Sequence, residues 1–392
     1  MLGGGNPAAI APMERVFRQQ MIDLLSRDRE FENMLGNYDA PGGNQKFAEA
    51  LSALLQKELG WPVTSANIAI TNGSQSAFGI LFNLFSGKYP DGSFKQIMLP
   101  MTPEYIGYAD VGLSQQPIFT AQQPLIDKLD HGLFKYRVNL GALEISDDIG
   151  AICISRPTNP TGNVITDNEL QHLKALADSN GIPLIIDGAY GLPFPGIIFS
   201  DALPVWDRNT VLCLSLSKLG LPGIRAGIII ADQPLIEIIT GSNAIFTLAP
   251  GRFGPTLITP LIQSGELLTL CHDVIRPYYK QRSDNAIAMV QSAMEDLPVR
   301  VHVSEGAIFL WLWFEGLPIT AEQLYQRLKS RNVLIIAGHH FFPGLEGEWQ
   351  HRHECIRMSY AAAEEDVRKG IQIISEEVRM AYNQPIPESI NA

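Results

Sequence analysis

Lys218 stands in the stretch Ser215-Leu216-Ser217-Lys218-Leu219-Gly220-Leu221-Pro222-Gly223-Ile224-Arg225, where the sequence concentrates its chemistry. An apolar run, Val211 to Leu214, delivers the chain to this polar turn, and Gly227 to Ala231 leaves it as a second apolar strand. An ammonium between buried strands is costly because it loses its water. The same desolvation lowers its pKa and frees the amine to condense with a carbonyl. Ser215, Ser217 and Arg225 are residue types that hold a phosphate. A condensing amine beside a phosphate clamp points to an aldehyde cofactor that carries a phosphate, which is pyridoxal 5'-phosphate. On its own, a lysine in a Gly-rich loop is as a rule a solvated surface residue, so the assignment needs neighbours.

The elements that must position them alternate. Ile68–Thr71, Gln96–Pro100, Gly150–Ser155, Pro183–Ile186, Val211–Leu214 and Gly227–Ala231 are expected as strands. Each is continuously apolar and ends in a polar, Gly-rich turn. That pattern belongs to a mainly parallel sheet buried on both faces, with ligands at its carboxyl edge. Asn72-Gly73-Ser74-Gln75-Ser76 leads from a strand into a helix through Phe85. It offers an anion site at a helix N-terminus, although the pattern also fits an ordinary capped helix. Thr102-Pro103-Glu104-Tyr105 is expected to open another helix.

Asn159 precedes Asp187, and Asp187 precedes Lys218, by about one strand–helix unit of some 30 residues each time. The three are therefore expected to project from different strands at one sheet edge. Helices are expected over Ala11–Asp28 and Gln45–Leu59. Beyond Pro255 the texture changes: helices over Pro260–Leu270, Val274–Leu297, Ala321–Ser330 and Glu364–Tyr382, with strands over Val301–Val303, Ile308–Phe314, Val333–Ile336 and Cys355–Ser359, read as a smaller α+β domain. The N-terminal segment is expected to complete it.

Composition sets outer bounds. A chain of 392 residues with 46% hydrophobic and 18% charged residues is that of a two-domain globular enzyme. A formal charge of −12 argues against binding a phosphate backbone. No apolar run reaches membrane-spanning length, and no basic segment with a following apolar stretch opens the sequence, so a cytoplasmic address is expected. Cys153, Cys213, Cys271 and Cys355 lack regular spacing and read as reduced core residues.

Taken together, Asn159-Pro160-Thr161-Gly162, Asp187-x-x-Tyr190, Ser215-x-Ser217-Lys218, Arg225, Gly73-Ser74-Gln75, Asn37-Tyr38 and Arg357 make the chain resemble the fold-type I pyridoxal-phosphate aminotransferases over nearly its whole length. Each motif is weak alone; the series in register is specific. The resemblance implies a large domain (residues 40–260) with a mainly parallel seven-stranded sheet between helices. A smaller α+β domain would be formed by residues 1–39 and 261–392. It implies that Lys218 holds the cofactor covalently and shuttles a proton, and that Asp187 pairs with the pyridine nitrogen. Tyr190 and Asn159 would bind the ring oxygen, and Tyr105 would stack on the ring. Gly73, Ser74, Gln75, Ser215, Ser217 and Arg225 would form the phosphate site, with Tyr38 reaching it from a second subunit of a homodimer. Arg357 would take the substrate carboxylate, aided by Asn159 and the backbone near Gly4.

The stretches Leu2–Pro7, Pro103–Tyr108, Arg156–Asn163, Leu216–Gly223 and Glu305–Trp313 resemble a branch of that family that exchanges the amino group between valine and pyruvate. The implied partners are small amino acids and 2-oxo acids, used in ping-pong fashion via pyridoxamine phosphate. Tyr105, Tyr108 and the Gly338–Gly344 loop are candidates for the side-chain pocket. No second arginine is obviously placed for a distal carboxylate, though Arg156 and Arg352 are open candidates. A same-fold aminotransferase for aromatic or aminoadipate substrates, or a lyase using the same lysine, would share these motifs. A transcriptional regulator of this fold needs a basic helix-turn-helix before the fold, and none is expected here. His339-His340 with His351-x-His353-x-Cys355 lacks a convincing ligand arrangement, so no metal is expected. Trp311-Leu312-Trp313 is expected to be core.

Overall fold

The computed structural model describes residues 1–383. Fourteen strands occur among them: β1 Ile68–Thr71, β2 Gly87–Lys88, β3 Phe94–Leu99, β4 Phe119–Ala121, β5 Leu125–Lys128, β6 Leu133–Arg137, β7 Ile149–Ser155, β8 Leu184–Asp187, β9 Thr210–Ser215, β10 Gly227–Ile230, β11 Val299–His302, β12 Phe309–Phe314, β13 Ile336–Ala337 and β14 Cys355–Ser359. They form two sheets. The larger runs β1-β10-β9-β8-β7-β3, the six strands expected from the sequence, with the unexpected β4 on the far side of β3 as a seventh; the two-residue β2 makes an eighth. Pairing from β9 through β8, β7 and β3 to β4 is parallel, while β10 runs antiparallel to both its neighbours.

The continuous apolar character of these strands has a direct cause. Alternate side chains feed different cores: Ala151, Cys153, Ile185 and Val211 pack with Phe78, Leu81 and Phe82 on one face. Ile152, Ile154, Ile186 and Leu212 join the larger core on the other. A strand buried on both sides has no polar face to show. The helix Ser74–Phe85 covers the first face, and its N-terminus opens at the carboxyl edge.

The second sheet has the order β13-β14-β12-β11-β6-β5 and takes β5 and β6 from within residues 40–260. Those two strands carry no clear alternation, and β5 is mostly exposed, which leaves little signal in the sequence. The N-terminal segment is pinned beside this sheet: Leu2 N–H donates to the Leu334 carbonyl and Ser359 N–H donates to the Leu2 carbonyl. Trp311 and Trp313 are both core residues of β12, as expected.

Several expected boundaries move. A helix begins at Phe253, before Pro260, and ends at Ser264; Glu266–Leu270 and a wide turn, Cys271–Ile275, then lead into Arg276–Ala293. Pro260 lies inside its helix although proline favours the first turn. The expected strand Val333–Ile336 is reduced to Ile336–Ala337. No helix opens at Thr102–Tyr105; only a short 3-10 turn, Ile106–Tyr108, follows, because Glu104 is drawn into the interior instead of capping.

Candidate active site

Strand register explains why the site lies where it does. Ser155, Asp187 and Cys213 are direct neighbours at the carboxyl ends of β7, β8 and β9. The turns that follow these ends bring Asn159, Tyr190 and Lys218 together around one cavity of about 260 Å³. Its wall also includes Ser74, Gln75, Tyr105, Ser215, Ser217, Arg225 and Arg357, so most of the expected residues converge.

Lys218 Nζ donates to the Gly5 carbonyl at 2.7 Å and sits 5.1 Å from the centre of the Tyr190 ring. Burial pulls its pKa down to about 8, with the nearby Arg357 and Arg225 charges acting the same way and Asp187 opposing them. A neutral, nucleophilic amine is therefore accessible near neutral pH. Asp187 accepts from Tyr108 Oη at 2.7 Å and from the Ala189 N–H at 2.9 Å. Burial raises its pKa, while those two donors and Lys218 work against the rise.

At one end of the cavity the backbone is shaped for an anion. Gly73 has φ of +87°, and a Cβ there would run into the Arg225 guanidinium. Arg225 itself adopts φ of +47°, a conformation that non-glycine residues seldom take and that surroundings must enforce. Ser74 starts the 12-residue helix, so its free N–H groups face Ser215, Ser217 and Arg225 across the cavity.

At the other end lies Arg357, from β14, only 3% exposed. Its Nη1 donates to Asn159 Oδ1 and its Nη2 to the Gly3 carbonyl, each at 2.7 Å. The guanidinium lies 4.1 Å from the centre of the Phe309 ring and 5.1 Å from that of Phe341. Its Nε is buried without a partner, and burial depresses its pKa to about 10. A buried guanidinium with only neutral partners is arranged for an anion that arrives from outside.

The remaining expected residues are placed differently. Gly4 does not line the cavity; its neighbours Gly3 and Gly5 reach the site through their carbonyls. Tyr38 is 83% exposed and away from this chain's own cavity. Tyr108 is no pocket wall: it is fully buried behind the cavity, where it donates to Asp187. Arg156 is spent on the Ile165 and Leu203 carbonyls and on Asp167, and Arg352 pairs with Glu348, so neither reaches the cavity. Sequence reasoning missed the roles of Ser155 and Glu104, although Glu104 next to Tyr105 in a strand-end turn was visible.

The residues fit pyridoxal phosphate. The unpartnered Arg357 Nε, the amine of Lys218 and the glycine-lined cradle under Arg225 supply a carboxylate site, a covalent anchor and an anion site around one cavity.

Comparison with known proteins agrees with this chemistry. The family model for aminotransferase class I and II matches residues 114–374. The chain is 51% identical to valine–pyruvate aminotransferase of Escherichia coli (strain K12) over 382 residues, covering 97% of this chain and 91% of that protein. It superposes on the crystal structure of valine–pyruvate aminotransferase from Salmonella typhimurium LT2 with a TM-score of 0.92 and 49% identity, covering 98% of this chain and 96% of the other.

Proposed function

The chain belongs to the class I and II aminotransferases, and from that premise we propose that it exchanges the amino group between valine and pyruvate, giving 2-oxoisovalerate and alanine, in a reversible ping-pong cycle. The cofactor is pyridoxal 5'-phosphate, which supplies an aldehyde for the amino group and a ring that accepts the electron pair left at Cα.

In this reading Lys218 would anchor the cofactor, and its Nζ, free once substrate binds, would take the proton from Cα. Its depressed pKa of about 8 suits that exchange. Asp187 would hold a proton on the ring nitrogen. Tyr190 Oη and the Asn159 amide would donate to the ring oxygen, and Tyr105 would cover one ring face. Gly73, Ser74, Gln75, Ser215, Ser217 and Arg225 bind the phosphate. Arg357 binds the substrate carboxylate beside the Gly3–Gly5 backbone. Its guanidinium, with Nε unpartnered, would hold the carboxylate and so orient the Cα–H bond of the amino acid for proton removal.

The observation that carries the substrate class is Arg357. It is the cation at the substrate end, its faces are covered by Phe309 and Phe341, and the other cations on the wall are Lys218 and Arg225. Among the described residues, one carboxylate therefore has a site and no further cation on the wall serves a second. A panel of amino donors tested against pyruvate, with cofactor absorbance as readout, checks this. Valine and alanine should convert the cofactor; glutamate and aspartate should be at least about tenfold poorer in kcat/KM, while other small apolar donors differ by only about 1–3 kcal/mol per methyl group. Glutamate or an aromatic donor surpassing valine would overturn the assignment.

A homodimer with shared sites is part of the proposal. Ile245, Phe246 and Leu248 are exposed apolar residues near the end of the helix Gln233–Phe246, and Leu35 and Tyr38 are exposed close by in sequence to the segment this helix holds. Asn243 donates to the Pro41 carbonyl, Arg252 to the Asn33 and Asn37 carbonyls, and Gly251 N–H to Asn72 Oδ1 beside the phosphate turn. Such an apolar face calls for a cover, and a second copy would bring Tyr38 of the partner subunit to the phosphate. No helix among the described residues is long and apolar enough to cross a membrane. The four cysteines are buried and unpaired, which favours a reducing compartment; we place the enzyme in the cytoplasm, in amino-acid biosynthesis.

A further inference from the structure

Behind the cavity, a second carboxyl group is linked to Asp187. Glu104 is fully buried, and its Oε1 accepts the Ser155 N–H at 2.8 Å while its Oε2 meets Ser155 Oγ at 2.5 Å. Ser155 Oγ lies 3.4 Å from Tyr108 Oη, which donates to Asp187 Oδ2 at 2.7 Å. Glu104 is fixed from the other side as well, its N–H donating to the carbonyl of Phe341, the residue whose ring lies beside Arg357.

We infer that Glu104 is a positioning residue for Asp187: its carboxyl proton starts a line of donors, through Ser155 and Tyr108, that ends on the Asp187 carboxylate and aims it into the cavity. The inference rests on Asp187 being the partner of the ring nitrogen.

The polarity of the line follows from what surrounds Glu104. The groups that face it are Ser155, the Tyr105 N–H, Tyr108, Cys153 and Asp187, and no cation pairs with it among the described residues. An unpaired ionised carboxylate in that place would lack water and face another negative charge. Burial, opposed by the Ser155 donors and reinforced by Asp187, raises its pKa to about 8. Glu104 is therefore a neutral acid at pH 7. Because the Ser155 N–H occupies Oε1, the proton sits on Oε2 and is given to Ser155 Oγ. The Ser155 hydroxyl then points to Tyr108, and Tyr108 to Asp187. The phenol keeps its own proton and so remains the donor to Asp187, since burial and the nearby carboxylates push its pKa far up. Above pH 8 Glu104 ionises, the Ser155 hydroxyl turns back toward it, and two negative charges share the layer. Asp187 and the ring nitrogen then hold a proton more tightly.

Infrared difference spectra of the apoprotein test the first step. A neutral-carboxyl stretch should be present at pH 7, vanish with a midpoint near pH 8, and be absent from Glu104→Gln. In the holoenzyme the pH titration of cofactor absorbance tests the second. Glu104→Leu and Ser155→Ala should shift its midpoint and lower kcat about tenfold with little change in KM. Glu104→Gln keeps an N–H donor toward Ser155 Oγ and should rescue most of that loss, while losing the inflection near pH 8. If Glu104→Leu does not fold, Tyr108→Phe breaks the last link and should shift the same midpoint. Absence of the neutral-carboxyl band at pH 7, or a titration unchanged in Ser155→Ala and Tyr108→Phe, overturns the inference alone. A band that is present while Asp187→Asn leaves spectrum and activity intact would instead remove the premise about Asp187, and the positioning role with it.

Discussion

Behind the Asn159 turn, Lys135 and Arg156 are buried cations that each meet a carboxylate; in the cavity, Lys218 and Arg357 are enclosed cations that meet only neutral partners. Lys135 Nζ lies 2.5 Å from Glu305, and Arg156 Nη2 lies 2.5 Å from Asp167. Lys218 has the Gly5 carbonyl, and Arg357 has a carbonyl, an amide oxygen and two aromatic faces. Burial of a charge is costly in both places. In the first region the cost is offset within the chain, so the pair serves the fold. In the second it is left for a ligand to offset, so the folded state holds in reserve the affinity that binding then uses. An unmatched buried charge is thus a better mark of a site than burial or charge taken singly.

Removing the amine should have the largest effect. Lys218→Ala should abolish covalent attachment of the cofactor, seen as loss of its bound absorbance, and lower kcat by at least about 10³-fold. A variant that keeps both would break the comparison at its centre. Arg357→Met comes next. Losing a buried charge-assisted pair with the substrate should lower kcat/KM by about 2–4 kcal/mol, a factor of roughly 30 to 1,000, while the cofactor still binds. Its folding stability should not fall, because the desolvated charge goes with it. Lys135→Met should do the reverse. It strands Glu305 and should cost about 2–4 kcal/mol in denaturant unfolding, while kcat/KM per folded molecule stays within about threefold. If both variants lost stability alike, the distinction between the two regions would fail.

Much of this site is legible in the sequence because its parts are strand-end turns, and such turns announce themselves by Gly, Pro and polar residues after an apolar run. Lys218, Asp187, Asn159 and Ser74 could all be placed at one edge by counting strand–helix units. What could not be read is register and depth. That Ser155 sits beside Asp187 is a property of the β7–β8 pairing. Tyr108 and Glu104 come from a turn whose direction depends on Glu104 entering the interior, against the usual preference of that residue type. The strands β5 and β6 were invisible because an exposed, irregular pattern carries little period-two signal. The place of Tyr38 is a matter of a second chain, about which one sequence offers only its exposure.

A pH measurement sharpens the contrast within the cavity itself. Cofactor capture requires the unprotonated Lys218 amine, whose pKa is lowered from 10.5 to about 8. Capture by the apoprotein should therefore rise about tenfold per pH unit below 8 and level off above it, where an ordinary lysine would keep gaining up to about pH 10. The Arg357 charge is among the causes of that lowering, so Arg357→Met should move the plateau to higher pH. A plateau that stays put would mean that burial alone sets the amine.

The smallest effect belongs to Arg352, which tests the comparison from outside. It is a partly buried arginine paired with Glu348 at 3.2 Å, and Glu348 is 90% exposed. A pair open to water on one side gains little, because solvent screens the attraction and ordering the side chains opposes it. Arg352→Ala should therefore change unfolding free energy by no more than about 1 kcal/mol. It should also leave the ratio of kcat/KM for valine over glutamate unchanged, since the guanidinium does not reach the cavity wall. If glutamate became a poorer donor in that variant, Arg352 would be serving a distal carboxylate, and the single-carboxylate site built on Arg357 would have to be redrawn.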